Sequence, residues 1–372
     1  MGSLHDLTSQ SLAVASVLRP AAARSIDQAA SDSESPSFAG KDVLSDVLRA
    51  VKLTGALFFR VNASSPWSVD VPRASTFADV ILPRAQHVIS YHIIIKGSGW
   101  IEISDSEPME FVEGDILVIA HGDRYAMRSA PECRTGLGHE DSLEFFRAMA
   151  AGHLPFVVTE GGGGPCLTQY VCGFLGCEAH PFNPLLGALP RLIRVGRDGG
   201  GMDNLLDRLV ELALAELPAR QPGSECIRLR LGELMFVEVV RRYIESLPHG
   251  QTGWLAGLRD GAVGRAVALL HDNPAHGWTL KELARETGVS RSVLAARFAR
   301  LVGCPPMHYL TQWRVQLAAR LLADGPGKVS AVGRAVGYQS EAAFSRGFKK
   351  HAGVSPAEWR DGVRGGAEGS GG

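Results

Sequence analysis

The stretch VGRAVGYQSEAAFSRGFKKHAGVSPAEWR, residues 332–360, decides the fold of the C-terminal part of the chain. Gly337 interrupts a helical run, and Ser340 stands where a side-chain oxygen can cap the next helix. Phe344 and Phe348 then recur at helical spacing, one inward face, with Arg346, Lys349 and Lys350 on the outer side. The pattern has an earlier counterpart in WTLKELARETGVSRSVLAARFARLVG, residues 278–303. There Thr279 and Glu282 can form a capping box, Gly288 supplies the turn and Ser290 caps the second helix. Val293, Leu294, Phe298 and Leu301 are expected inward, leaving Arg291, Ser292, Ala295 and Ala296 outward at the leading end. Between the two copies, MHYLTQWRVQLAARLLADG (307–325) reads as one amphipathic helix. It would be on the order of 25 Å long, enough to hold two reading helices about one DNA turn apart. A single helix-turn-helix pattern is a weak sign, because compact helical hairpins are common. Two with the same cap, turn and terminator are harder to produce by packing alone.

Charge supports the same reading. The 372-residue chain has a net charge of −1, but Gly261–Arg364 holds 15 Lys/Arg against 7 Asp/Glu. A net of +8 there leaves −9 on the remainder, so a basic end sits on an acidic body and suits an anionic partner such as nucleic acid. With 45% hydrophobic and 21% charged residues the chain reads as globular. Its apolar runs, such as DILVIA, are too short to span a bilayer, and no secretory signal is legible, which predicts a cytoplasmic protein without membrane contact. In that compartment the six cysteines suggest packing, metal or redox sensing more than a disulfide framework.

Working towards the N-terminus, the expected organisation is α+β and multidomain. Residues 1–38 read as a flexible leader, 39–200 as a β domain, 201–250 as a helical pair, 260–362 as the helical DNA-binding domain with its two motifs at 279–300 and 328–350, and 363–372 as a disordered tail. ALFFRVN, WSVDV, TFADVIL, HVISYHIIIKG, WIEIS, DILVIA and LTQYVCGFLG are candidate strands of a small barrel or sandwich. The segment between Arg128 and Cys166, ending in EGGGGP, reads as a flexible loop. In the helical pair, Leu205, Leu206, Leu209, Leu212 and Leu217 form a stripe that either packs on the β domain or makes a dimer interface.

The segment from about Val263 to Trp359 resembles the DNA-binding domain of the AraC/XylS family of transcription regulators. ELARETGVSRSVLAARF, YLTQWRVQLAARLL and VGRAVGYQSEAAFSRGFKKHAGVSPAEWR carry the resemblance. It implies sequence-specific binding to double-stranded promoter DNA, usually as a homodimer, with RNA polymerase as a further partner. The family's reading positions fall on Ser292, Ala295 and Ala296 in the first motif and on Glu341, Ala342 and Arg346 in the second. Arg346 can donate two hydrogen bonds to guanine, whereas the alanines can only touch thymine methyls. Arg291 is counted with the base-reading positions, and Arg291, Arg297, Lys349 and Lys350 are candidate phosphate contacts.

The β region, with YHIIIKGSGWIEI, FVEGDILVIAHGDRYAM and VCGFLGCEAHPFNPLLGALP, resembles the cupin-type sensor domain of one branch of these regulators. That implies a barrel which senses a small-molecule, metal or redox effector. Metal-binding cupins need several histidines and a carboxylate. Here His92 has Ile94 two residues on, and Tyr125 stands where a second-motif histidine is common. His87, His92, His121, Cys172 and Cys177 are the residues left to form an effector or metal site, with zinc as the cofactor such a set could hold and core packing as the alternative. A metalloenzyme with an accessory nucleic-acid module is the competing reading. It needs a catalytic metal that these motifs mostly fail to supply.

Overall fold

The computed structural model describes residues 42–368 apart from 51–52, 84, 105, 135–137, 152, 154–156, 179–180, 197–204, 217–220, 249 and 326. The expected leader lies outside the described residues, as does Leu217. The chain begins with helix α1 (Val43–Ala50) and strands β1 (Leu53–Ser64) and β2 (Ser68–Val71). A 3-10 turn (Ala74–Thr76) and helix α2 (Ala78–Ile81) lead to β3 (His87–Lys96), β4 (Ser98–Ile103), β5 (Met109–Val112), β6 (Ile116–Ile119) and β7 (Tyr125–Arg128). Helix α3 (His139–Ala150), β8 (Val157–Gly161), β9 (Leu167–Cys177), α4 (Pro184–Ala188) and β10 (Leu192–Val195) complete the N-terminal part.

These strands form a six-stranded mixed sheet, in the order β10-β6-β3-β9-β1-β8, and a four-stranded sheet, β2-β7-β4-β5. Among the described residues only the β1–β8 pair is parallel. Strand periodicity sorts the residues: Phe59, Val61, Ile94, Leu117, Tyr170 and Phe174 share one core with Ile101, Phe111, Tyr125 and Met127 of the smaller sheet. The opposite face of the large sheet carries Ile89, Tyr91, Ile93, Val118 and Leu175, which belong to a second core. Both faces are thus covered, which explains the near-continuous apolar run in HVISYHIIIK.

Two expectations need correction. TFADVIL is not a strand: Phe77 is buried between the rings of Phe146 and Phe174, and its neighbours form the 3-10 turn and α2. The presumed loop between Arg128 and Cys166 contains α3, whose Phe145 and Phe146 pack on Phe59, Phe77 and Phe174, and β8. The strands β5, β7, β8 and β10 are four or five residues long, too short to show a period.

The helical pair is α5 (Leu205–Glu216) and α6 (Ser224–Ser246). On α5 the buried residues are Leu206, Leu209, Val210 and Ala213, while Leu205 and Leu212 are exposed, so the predicted leucine stripe divides between two faces. On α6, Met235, Phe236, Val239 and Val240 are buried in the core on the outer face of the large sheet.

The C-terminal part comprises α7 (Trp254–Arg259), α8 (Gly261–Asp272), α9 (Leu280–Glu286), α10 (Arg291–Val302), α11 (Pro306–Asp324), α12 (Val329–Ala335), α13 (Glu341–Ala352) and α14 (Pro356–Glu368). The last of these runs through most of the segment expected to be a tail. Helix α11 serves two cores. Tyr309, Leu310 and Trp313 join that of α8–α10, whereas Val315, Ala318, Ala319 and Leu322 join that of α12–α13. The N-terminal part packs onto the same helix: the Phe182 N–H donates to Gln316 Oε1 at 2.9 Å, and the Phe182 ring lies edge-on to Tyr309. Arg320 Nη1 also donates to the Arg49 carbonyl at the end of α1, at 2.8 Å.

Candidate nucleic-acid interface

The two helix pairs at the C-terminus are closed by the same local chemistry. At the end of α9, the Val289 N–H donates to the Ala284 carbonyl, and at the end of α12 the Tyr338 N–H donates to the Gly333 carbonyl. Gly288 and Gly337 sit in the left-handed region, φ 71° and 96°, the conformation that reverses a helix end. Ser290 Oγ then accepts the Val293 N–H, and Ser340 Oγ the Ala343 N–H, each satisfying a donor in the first turn of the next helix. Leu294, Phe298 and Leu301 bury α10; Phe344 and Phe348 bury α13. Gly303 and Gly353, φ 83° and 80°, end the two helices alike. At the first pair Thr279 accepts the Glu282 N–H as expected, while the Glu282 carboxylate lies 3.0 Å from His276 Nε2.

These constraints fix which side chains face solvent. Arg291, Ser292 and Ala296 are exposed and Ala295 is half-buried on α10; Glu341, Ala342, Arg346, Lys349 and Lys350 are exposed on α13. Val293 departs from expectation. It is 43% exposed and joins the outer leading face, because the buried ridge runs 294, 298, 301 and position 293 lies about 100° away from it. Arg300 is a further exposed cation on the same helix. Both were legible in principle from the helical period.

Arg297 has an internal partner. Its guanidinium pairs with the Asp260 carboxylate, whose other oxygen accepts the Ala262 and Val263 N–H groups at the start of α8. It clasps α10 to α8 while part of the Arg297 side chain stays exposed. Other cations are also occupied within the protein. Arg314 donates to the Pro274 and His276 carbonyls, Arg265 to that of Glu286, and Arg285 pairs with Glu286. The regional charge of +8 therefore overstates the number of cations available to phosphate.

In the N-terminal domain the five candidate residues do not converge. Cys172 lies in the core between the sheets, but Cys177, an odd number of residues on, lies in the core on the other face. β9 stays in register with β1 from Leu167 to Gly176, so its glycines do not bend the cysteines together. His87 Nε2 hydrogen bonds with the Ala120 carbonyl at 2.7 Å and His121 Nε2 with that of Leu189 at 2.8 Å. His92 is buried beside core residues of both sheets, its Nε2 2.8 Å from the Tyr125 hydroxyl and its ring edge-on to Tyr125 and Tyr170. Burial lowers its pKa to about 3, so the imidazole is neutral at physiological pH. Among the described residues no three His, Cys, Asp or Glu side chains are grouped to hold a metal ion. Burial, with Glu160 nearby, also raises the Cys172 thiol well above its usual range, and burial pushes Cys177 up to about 12. Both thiols are then poor nucleophiles and poor redox sensors. Glu160, which the sequence reading did not single out, is itself pushed up to about 7 by burial. No helix among the described residues is long and apolar enough to cross a membrane.

Comparison with known proteins agrees with this geometry. Residues 42–245 match the cupin family model and residues 283–362 a helix-turn-helix domain model. A protein of Streptomyces lividans named as an AraC-like transcription regulator is 33% identical over 323 residues, covering 86% of this chain and 98% of the relative. The transcriptional regulator AlkR of Acinetobacter baylyi is 28% identical over 321 residues, covering 86% of this chain and 99% of its own. Among solved structures, the DNA-binding domain of AdpA in complex with a target DNA is 29% identical, covering 28% of this chain and 95% of that one, with a TM-score of 0.28. With relatives aligned along both halves and a C-terminus built from Ser-capped helix pairs, the chain belongs to the AraC-like family of DNA-binding transcription regulators, a cupin domain preceding the helix-turn-helix domain.

Proposed function

We infer that this regulator reads promoter DNA with two helices at once, α10 and α13, each laid in a major groove. The carrying observation is their equivalence: both start at a serine cap, bury an inner ridge and expose a leading face. Helix α11 packs its first half on one pair and its second half on the other. At 19 residues it is about 28 Å long, close to the roughly 34 Å repeat of B-DNA. Ser292, Val293, Ala295 and Ala296 would meet bases through the first helix, and Glu341, Ala342 and Arg346 through the second. Arg291, Arg300, Lys349 and Lys350 would hold phosphates. The first helix offers few hydrogen-bonding groups, so its contribution is mainly apolar contact with thymine methyls.

The cupin domain senses an effector and, through its packing on α11, sets how firmly the two readers are held. Such control requires the effector to bind two arrangements unequally. The exposed residues Leu205 and Leu212 of α5 and Ile227 and Leu234 of α6 supply an apolar face for a homodimer. RNA polymerase is the further partner at the promoter, and the cytoplasm the setting. The test is binding to selected DNA sites across a salt series, comparing wild type with Arg346→Ala. Loss of about 1–3 kcal/mol confined to one base pair supports readout by Arg346; a uniform loss across sequences makes it a phosphate contact. Binding that is insensitive to both sequence and salt would refute the proposal.

A further inference from the structure

The helices α10 and α13 align position by position: Ser290 with Ser340, Leu294 with Phe344, Phe298 with Phe348 and Gly303 with Gly353. In that register Arg297 of α10 corresponds to Gly347 of α13. Gly347 packs on Tyr338, where a Cβ would come within 3.0 Å of the hydroxyl, and it has no side chain to pair as Arg297 does with Asp260. The two copies therefore differ at the point where the first is clasped. Asp260 stands at the joint of α7 and α8. One carboxylate oxygen accepts the Ala262 and Val263 N–H groups, at 3.1 and 3.0 Å, and caps α8; the other accepts from the Arg297 guanidinium. The cap holds the carboxylate in place before it meets Arg297, so the pair costs less side-chain freedom than two mobile surface groups would. The preceding residue, Arg259, donates to the Ile244 and Leu247 carbonyls at 3.3 and 2.7 Å, at the C-terminus of α6, where unpaired carbonyls favour a cation. At the other end of α7 the Gly253 N–H donates to the Leu301 carbonyl of α10 at 3.0 Å. Adjacent residues of opposite charge thus hold α6 on one side and α10 on the other.

We propose that Asp260 and Arg297 are positioning residues for DNA reading, which set the first reading helix on its support, and that Arg259 ties this setting to the α5–α6 pair. The second reading helix lies outside the tie, since Gly347 replaces the arginine. The helical pair that follows the cupin domain then has a hold on the base contacts of α10 and, by this route, none on those of α13. The consequence for DNA rests on the regulator reading, whereas the hold on α10 does not.

Amide exchange is measured first, on the full-length chain without DNA. Asp260→Asn keeps an oxygen for the α8 cap and removes the charge, and Arg297→Gln removes the other partner. Each is expected to lower protection of α10 about fivefold and leave α13 unchanged, while Arg297→Lys stays within about twofold of wild type. Arg259→Gln should lower protection of α10 about threefold. Unchanged α10 protection in either Asp260→Asn or Arg297→Gln, or an equal fall in α13, overturns the positioning role; unchanged α10 protection in Arg259→Gln overturns the tie to α6. Binding is then measured on a duplex that the wild-type chain selects from random-sequence DNA, the half read by α13 being identified from the base pairs affected in Arg346→Ala. Asp260→Asn and Arg297→Gln should each bind it about fivefold more weakly, with no loss once the other half is scrambled and with an unchanged salt slope. Asp260→Asn makes the chain more positive, so weaker binding in that variant cannot come from lost attraction to phosphate. A slope reduced by about one in Arg297→Gln makes the residue a phosphate contact and overturns the proposal, as does a loss that persists on the scrambled duplex. Failure of the wild type to select any sequence counts against the regulator reading and leaves the exchange result standing.

Discussion

Replacing Gly288 or Gly337 by alanine separates two turns that look interchangeable. Both glycines have φ in the left-handed region, where an alanine costs roughly 1–2 kcal/mol. At Gly288 a Cβ would meet nothing within 4 Å, so Gly288→Ala should cost no more than that. At Gly337 it would sit 2.7 Å from both the Cα and the carbonyl oxygen of Ala275. Those are backbone atoms, which cannot turn aside as a flexible side chain would. Relieving such overlap typically adds about 1–3 kcal/mol, giving about 2–5 kcal/mol in total. Amide hydrogen exchange reads local stability, and each 1.4 kcal/mol is about tenfold in protection. Gly288→Ala should lower protection of α9 and α10 by about five- to thirtyfold. Gly337→Ala should lower that of α12 and α13 by on the order of 300-fold at the middle of its range. Equal losses in the two variants would refute the reasoning, since backbone conformation alone would then set the cost and the Ala275 contact would be irrelevant.

Lys349→Ala should reduce the slope of log affinity for DNA against log salt by about one, whereas Arg297→Ala should leave that slope unchanged because its partner is Asp260; the reverse result would return Arg297 to the phosphate interface. Alkylation of the native protein should mark the exposed Cys166 and Cys226 well before the buried Cys172 and Cys177, and rapid labelling of Cys172 would contradict its burial. His92, with a folded pKa near 3 against 6.5, favours the neutral form, so its contribution to stability is complete above pH 6.5 and is lost as pH falls from there towards 3. Through this group the protein should be about 2 kcal/mol less stable at pH 5 than at pH 7 in urea unfolding. His92→Gln should lose that increment, and an unchanged pH dependence would show that His92 does not titrate in this way.

The C-terminal elements were legible in the sequence because their determinants are local. A left-handed glycine, a serine three residues before the N–H it accepts, and phenylalanines one turn apart specify a turn and an amphipathic helix without reference to the rest of the chain. The helical period also contained the outward position of Val293, since the ridge of Leu294, Phe298 and Leu301 excludes it. In the N-terminal half the same kind of reading failed at TFADVIL and at α3. There, apolar residues are short segments filling gaps between rings supplied from distant strands, and no local period records those partners.

The sequence by itself determined the fold class, the paired helices and the residues at their leading turns. Only the tertiary structure decided which charges are free and which cysteines can meet. Arg297 and Lys349 look alike as residues, but Arg297 is neutralised by Asp260, 37 positions earlier. Cys172 and Cys177 are close in sequence, yet the regular pleat of β9 sends them to opposite cores. Local propensity fixes where a side chain leaves its own helix or strand; what it then meets depends on long-range packing, which brings residues far apart in the chain within a few ångströms.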